Sequence, residues 1–246
     1  MSVVSEAMSE FFSRSEALLG EAAMARLKVA RVLVVGVGGV GSWCAEALVR
    51  TGVGHITLVD DDVVVESNVN RQCPATAATV GRPKVEAMAE RLKAINPACE
   101  VEAVNTRYTS SSVSCLKSFT LVVDAIDSVD CKAELILDAT EAGIPLVSSM
   151  GAALRLDPTK VKVTRFEKVE GDGLARALRQ RFKKLGRFPA AKFSCAWSTE
   201  QAHENQTHKH SNTQTISKGS LMPVTATFGM CLASEAIKLL TKGETK

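Results

Sequence analysis

The stretch "VVGVGGVGSW", residues 34–43, decides the fold. Gly36, Gly38 and Gly41 stand in it at the spacing G-x-G-x-x-G. The residues leading in, "RVLVVG" at 31–36, are an apolar run after one arginine, the pattern of a strand buried on both faces. Residues 40–51 come next as a helix. In a strand–loop–helix unit of this kind the first glycine permits the tight turn and the second lets a phosphate approach the backbone. The third allows the helix to pack closely, and the helix N-terminus turns its N–H groups toward an anion. A second strand, "HITLVD" at 55–60, ends on Asp60, where an acid accepts hydrogen bonds from ribose hydroxyls. All of this suits NAD and ATP equally, so the loop implies a nucleotide without naming it.

Outward from the loop, strands and helices alternate. Residues 81–94 read as an amphipathic helix, with Val85, Met88, Leu92 and Ile95 at helical spacing, and Asn96-Pro97 stops it. "CEVEAV" (99–104) alternates like a strand, and "FTLVVDAID" (119–127) is another buried one. A helix near 129–142 comes after it, capped by Gly143, and then the strand "IPLVSSMG" at 144–151. The order predicts an α/β fold, a Rossmann-like and mostly parallel sheet with helices on both faces, binding its ligand at the carboxyl ends of the strands. After Gly151 the pattern changes. "GAALRLDP" (151–158) and "KVKVTRFEKV" (160–169) read as two strands joined by an Asp-Pro turn. "GLARALRQRFKKLGR" (173–187) is a basic helix, residues 201–220 form a polar loop, and "MPVTATFGMCLASEAIKLL" (222–240) closes the chain as an apolar helix. We therefore expect an N-terminal helical segment (1–30), a nucleotide-binding region (31–150) and an extension of strands and helices (151–246), integrated in one domain.

The chain has 246 residues and a net charge of only +3, so composition as a whole does not announce nucleic acid. Its seven cysteines include no C-x-x-C pair, which speaks for free thiols and against a Cys₄ zinc site. The first residues lack the charged-then-apolar order of a secretory signal, and the apolar stretch near the end is broken by Pro223, Ser234, Glu235 and Lys238. The expected location is cytoplasmic, with no membrane partner.

The segment after Asp60 separates the nucleotides. "DDDVVVESNVNRQ" (60–72) clusters Asn68, Asn70, Arg71 and Gln72, which a hydride carrier does not need and a triphosphate does. Arginine offers a charged planar fork to phosphate oxygens, and amides add neutral donors. Lys84, in "GRPKVEAM", stands at a helix start as a point charge for phosphate. "DAIDSVD" (124–130) puts Asp124 and Asp127 at a strand end, where a carboxylate suits Mg²⁺. This ordered set of motifs resembles the adenylating domain of ubiquitin-activating-type enzymes. "GVGGVGSWCAEALVRTGVG", "ERLKAINPACEVEAV", "SSMGAALRLDPTKVKVT", "GLARALRQR", "STE" and "PVTATFG" resemble the tRNA threonylcarbamoyladenosine dehydratase branch, over about residues 11–241.

The resemblance implies ATP-dependent cyclisation of threonylcarbamoyladenosine at position 37 of tRNA, with ATP and Mg²⁺ and with a monovalent cation that no residue locates. It implies that Gly36, Gly38, Gly39 and Gly41 line the nucleotide and that Asp60 holds the ribose. Asn68 and Arg71 would contact the triphosphate, Gln72 would support that segment, and Asp62 would orient the loop. Lys84 would neutralise departing pyrophosphate and Asp127 would bind Mg²⁺, which makes Arg71, Lys84 and Asp127 the catalytic set. Members of the superfamily are dimers, and Arg14, in "FFSRSEALLG", would reach the partner's ATP. Phe11 stands where relatives often carry an arginine.

Six basic residues and no acid lie between 176 and 187: Arg176, Arg179, Arg181, Lys183, Lys184 and Arg187. With Leu174, Leu178, Phe182 and Leu185 largely on another face, the helix reads as a basic tRNA footprint. Cys195 suits core packing better than chemistry. His203, His208 and His210 read as members of a solvated loop. The competing reading is an activator of a ubiquitin-like or sulfur-carrier protein, against which the missing C-x-x-C pairs count; an NAD-dependent oxidoreductase or a non-catalytic binding module is the remaining one.

Overall fold

The computed structural model describes residues 10–112, 115–205 and 218–242. Two short helices, α1 (Ser13–Leu19) and α2 (Glu21–Val29), lead into strand β1 (Arg31–Val35) and helix α3 (Gly41–Arg50). Then come β2 (His55–Val59), α4 (Lys84–Ile95), β3 (Glu100–Val104), β4 (Leu121–Asp124), α5 (Val129–Glu141) and β5 (Leu146–Ser149). The chain ends with β6 (Val161–Arg165), α6 (Gly173–Leu185), β7 (Ser194–Ser198) and α7 (Met222–Thr241). The seven strands form one sheet in the order β3-β2-β1-β4-β5-β7-β6. All pairings are parallel except that of β6 with β7. The order reverses between β1 and β4, which opens a crevice at the carboxyl ends of those strands.

Alternation along the strands explains the layers. Val32, Val34, Ile56, Leu58, Val123 and Val147 point into one core, against Leu48 of α3, Met88 and Leu92 of α4, and Phe228 and Leu232 of α7. Leu33, Val35, Val59, Val122 and Leu146 point into the other, against Leu135 and Ile136 of α5 and Leu178 and Phe182 of α6. Because both faces of each central strand are covered, these strands read as continuous apolar runs. Helix α7 is long and apolar enough to cross a membrane by length and composition. Its apolar character is accounted for by packing: Val224, Phe228, Leu232 and Ala236 recur every four residues and are buried against α3 and the sheet.

The structure differs from expectation after β5. Residues 151–158 form no strand, because their backbone groups bond elsewhere: Leu154 N–H donates to Gly219 O (2.8 Å), and His203 N–H donates to Leu154 O (2.9 Å). Leu154 has φ of 60°, a conformation in which a branched side chain is strained. The Asp157-Pro158 turn opens a single 3₁₀ turn whose N-cap is Asp157. The second of the expected strands is β6, and its antiparallel partner is β7, a strand within "FSCAWSTE" that carries no clear alternation. All seven cysteines are free.

Under the β1–α3 unit lies a buried acid. The Glu46 carboxylate accepts from Arg50 (2.8 Å), Arg91 (2.6 Å) and the Cys73 thiol (2.9 Å). Burial pushes its pKa up, but the hydrogen bonds from Arg91, Cys73 and Arg50 outweigh that and hold it at about 2. The Cys73 thiol, buried and facing this acid, is pushed up to about 12. A carboxyl depressed in the folded state stabilises above its ordinary pKa of 4.5 and loses that contribution as pH falls toward 2. Urea midpoints should therefore fall between pH 4.5 and 2.5, and Glu46→Gln, less stable at pH 7, should show a shallower fall across that window; parallel slopes would exclude this role for Glu46.

Candidate active site

A cavity of about 820 Å³ opens where the strand order reverses, walled by the loops after β1, β2, β3, β4 and β5 and by the starts of α6 and α7. Two glycines of the loop, Gly36 and Gly41, have no room for a side chain. Gly36 has φ of +91°, and a Cβ there would lie 2.6 Å from Ala125 O. A Cβ on Gly41 would lie 1.8 Å from Gly36 O, so Gly41 packs beneath the turn and does not line the cavity, whereas Gly36, Gly38 and Gly39 do. Asp60 braces the loop from below. Its Oδ2 accepts from Val37 N–H (2.6 Å) and its Oδ1 from Asp62 N–H (2.9 Å). Burial raises its pKa, against the nearby Lys84 charge and those two N–H groups. Each oxygen keeps a lone pair for a ribose hydroxyl.

The basic wall comes from the segment after β2. Lys84 opens α4, with its ammonium 2.6 Å from Asp62 and its side chain only 7% exposed. Its backbone N–H bonds Asp62 O (3.0 Å), so Asp62 fixes Lys84 twice. Arg71 Nη1 donates to Ser67 O and to Asn70 Oδ1, both at 2.8 Å, while Trp43 Nε1 holds Arg71 O at 2.9 Å. Gln72 is buried beside Gly38, and its amide oxygen has no partner among the described residues. The unused oxygen is an acceptor, so it suits a hydroxyl such as that of a ribose and not a phosphate oxygen. Asn68 is placed otherwise. Its Oδ1 accepts from Val65 N–H (3.2 Å), closing its own 3₁₀ turn, and it does not line the cavity. Arg14 is exposed on α1, outside this chain's cavity.

The two acids after β4 have different fates. Asp124 is fully buried and consumed by structure. It pairs with the equally buried Lys132 (2.8 Å), accepts from Ser148 Oγ (2.6 Å) and from Ile126 N–H (3.1 Å), and Lys132 also donates to Ile126 O (3.0 Å). Asp127, beyond the last paired residue of β4, is exposed at the cavity wall, open to a cation. Among the described residues the one cluster of three acids with ligand atoms within 4.8 Å of one another is Asp60, Asp61 and Asp62, on the opposite wall. Magnesium does not require such a cluster, since one or two carboxylates with substrate phosphates and waters suffice.

A glycine turn, a half-buried acid, an arginine, a lysine and an open carboxylate thus converge on one space. The ThiF family model matches residues 12–246. The chain belongs to the ThiF family. It is 40% identical to the tRNA threonylcarbamoyladenosine dehydratase of Escherichia coli strain K12, over 96% of this chain and 95% of that protein. The crystal structure of the E. coli tRNA N6-threonylcarbamoyladenosine dehydratase in complex with ATP superposes with a TM-score of 0.86, covering 97% of each chain. The molybdopterin-synthase adenylyltransferase of Salmonella typhimurium is 34% identical over 87% of this chain and 74% of that protein.

This ThiF chain spends half of its basic helix on itself. Arg179 donates to Phe166 O (3.0 Å) and Val169 O (2.7 Å) and lies over the Phe166 ring. Arg181 pairs with Asp130 (2.9 Å), and Arg187, beyond the C-terminus of α6, with Glu141 (2.9 Å). Arg176, Lys183 and Lys184 are exposed and form no ion pair among the described residues. Leu185, expected on the apolar face, is exposed. Cys195 is fully buried and burial pushes its thiol up, as a packing residue requires. His203 meets Glu200 at 2.7 Å, while His208 and His210 lie outside the described residues, as does most of the expected polar loop. Sequence reasoning passed over Arg107, Arg155 and Lys218, all at the cavity. Arg155 was detectable as a lone charge between two leucines.

Removing one member of a buried ion pair strands the other, at a cost of ~3–5 kcal/mol. Lys132→Met should lower unfolding free energy by about that much in urea titrations. The double variant Lys132→Met with Asp124→Asn should recover a substantial part of the loss. Additive losses would show that the two groups do not act as a pair.

Proposed function

We propose that this ThiF protein dehydrates threonylcarbamoyladenosine at position 37 of tRNA at the expense of ATP. The observation that carries the reading is near full-length likeness to the E. coli dehydratase, at 40% identity, and to its ATP complex, at TM-score 0.86. The residues needed for such chemistry stand around one cavity in this chain. A carboxylate oxygen is a poor leaving group, and transfer of AMP makes it a good one. The threonyl carboxylate attacks the α-phosphate, the bond to the bridging oxygen breaks, and pyrophosphate departs with the electron pair. The neighbouring carbamoyl group then closes on the activated carbonyl and gives up an N–H proton to solvent, AMP leaves with the electron pair of the broken C–O bond, and a five-membered ring remains.

In this mechanism the protein positions groups and stabilises charge. The backbone of Gly36, Gly38 and Gly39 cradles the nucleotide, and Asp60 takes the ribose. Arg71 and Lys84 offset the charge of the departing pyrophosphate, with Asp62 and Gln72 holding that wall. Asp127 would hold Mg²⁺, which would supply positive charge to screen the phosphate oxygens. A homodimer, in which Arg14 of one chain faces the nucleotide of the other, is supported by the exposed Phe11 (55%) and Leu18 (84%) beside it. The proposed location is the cytoplasm. The second reading, activation of a sulfur-carrier protein, draws on the likeness to the molybdopterin-synthase adenylyltransferase.

Incubation with ATP, Mg²⁺ and tRNA bearing threonylcarbamoyladenosine should yield, after digestion, a nucleoside lighter by one water. An unchanged nucleoside together with adenylation of a small carrier protein would transfer the assignment to the second reading. Arg71→Ala and Asp127→Ala should each reduce tRNA-dependent ATP–pyrophosphate exchange by about 10²–10³, the range for loss of one transition-state contact. Exchange at the wild-type rate in both would remove them from the catalytic set. The tRNA footprint is tested through its salt dependence. Replacing Arg176, Lys183 and Lys184 together by alanine should lower the slope of log K against log salt by ~2–3, at about 0.9 per phosphate contact. An unchanged slope would place the tRNA elsewhere.

A further inference from the structure

Arg155 stands out in the cavity wall. It is only 4% exposed, and its Nε and Nη1 are sealed from solvent with no hydrogen-bond partner among the described residues. A guanidinium stays charged at any accessible pH, and a buried charge without a counter-ion is unfavourable. The backbone nonetheless holds it there. Leu154, on one side, is kept at φ 60° by hydrogen bonds to Gly219 and His203. On the other side the Glu200 carboxylate receives the N–H groups of Leu156 and Asp157 at 3.0–3.1 Å. Strain and pinning together keep an unpaired cation facing the cavity, an arrangement that stores binding energy for an incoming anion.

The position of Arg155 indicates which anion. The groups assigned to the nucleotide come after β2 (Asp60), β1 (the glycine loop) and β4 (Asp127). Arg155 comes after β5, the next strand along the sheet, and lines the same cavity as Asp172 and Gly173 at the start of α6. The triphosphate already has Arg71 and Lys84. A backbone phosphate of folded RNA lies on the outside of the nucleic acid and is met by exposed cations, whereas Arg155 is recessed. We propose that Arg155 is the receptor for the substrate's carboxylate: its guanidinium pairs with the threonyl carboxylate of the modified adenosine and holds it against the α-phosphate. This rests on the dehydratase reading above. One carboxylate oxygen stays paired while the other forms the bond to phosphorus as the bridging P–O bond breaks. No proton moves in that step, and pyrophosphate takes the electron pair. The planar fork suits a carboxylate, and it brings an anionic nucleophile up to a polyanion without net repulsion.

The test uses the full chain with Arg155→Gln and Arg155→Lys, and two tRNAs identical except for the threonylcarbamoyl group. Wild type should bind the modified tRNA roughly tenfold or more tightly than the unmodified one, as loss of a buried charge partner warrants. Arg155→Gln should lose that preference and raise KM for modified tRNA, with ATP affinity and the thermal midpoint of the free protein no lower than in wild type. Arg155→Lys should restore part of the preference. A preference retained by Arg155→Gln overturns the proposal, as does equal weakening of both tRNAs with a salt slope smaller by about one, which marks a backbone phosphate. Weaker ATP binding overturns it in favour of the triphosphate, and a lower thermal midpoint in both variants overturns it in favour of a structural role. If wild type leaves the modified tRNA unchanged, the dehydratase reading itself fails. If wild type dehydrates it and Arg155→Gln discriminates normally, only the role of Arg155 fails.

Discussion

Asp124 and Lys132 form the joint on which the site is built. One fully buried carboxylate ties the end of β4 to Ser148 of β5, to the first turn of α5 through Lys132, and to the intervening Ile126 backbone. These contacts fix the short segment from which Asp127 projects at the cavity wall. A buried pair of this kind adds little net stability against apolar residues of similar volume. Its value here is geometric, because it sets where β4, β5 and α5 meet. The glycine loop abuts the same segment: Gly36 passes so close to Ala125 that no side chain fits between them.

The parts of the fold that the sequence made legible are those in which one physical rule dominates. The central strands are apolar on both faces, and the glycine spacing is forced by contacts such as that of Gly41 with the Gly36 carbonyl. The alternation of strand and helix from β1 to β5 is a consequence of these two rules. Residues 151–158 mislead because alternation in "ALRLDP" mimics a half-buried strand. What overrides it is long-range bonding to residues 203 and 219, which no local window contains. β7 escapes a sequence reading for a related reason. "SCAWS" is short and mixed in polarity, and it is buried throughout because it lies inside the sheet between β5 and β6, with Ala196 in one core and Cys195 and Trp197 in the other.

Site residues divide along the same line. Gly36, Asp60, Lys84 and Asp127 belong to short motifs whose roles derive from position on a strand or helix end, and the structure brings all four to one cavity. Burial and partnership are not local properties. Asp124 and Asp127 look alike in "DAIDSVD", yet one is sealed beneath the sheet and the other faces the cavity. The basic helix shows the same effect: six cations of one sign suggest a single surface, but Arg179, Arg181 and Arg187 find carbonyls or acids on neighbouring elements.

The two edges of the sheet carry opposite charge. At one end β3 exposes Glu100 and Glu102, and at the other β6 exposes Lys162 and Arg165. Two copies related by a twofold axis and joined strand to strand would set acid against acid or base against base. Joining unlike edges would relieve that repulsion, but such a head-to-tail contact propagates into a ribbon and does not close. Edge charge thus works against both aggregation through the sheet and a continuous sheet across a symmetric pair. Any closed twofold assembly of this chain is left to its helical layers, where the shared surface is read by side-chain shape and not by backbone hydrogen bonds.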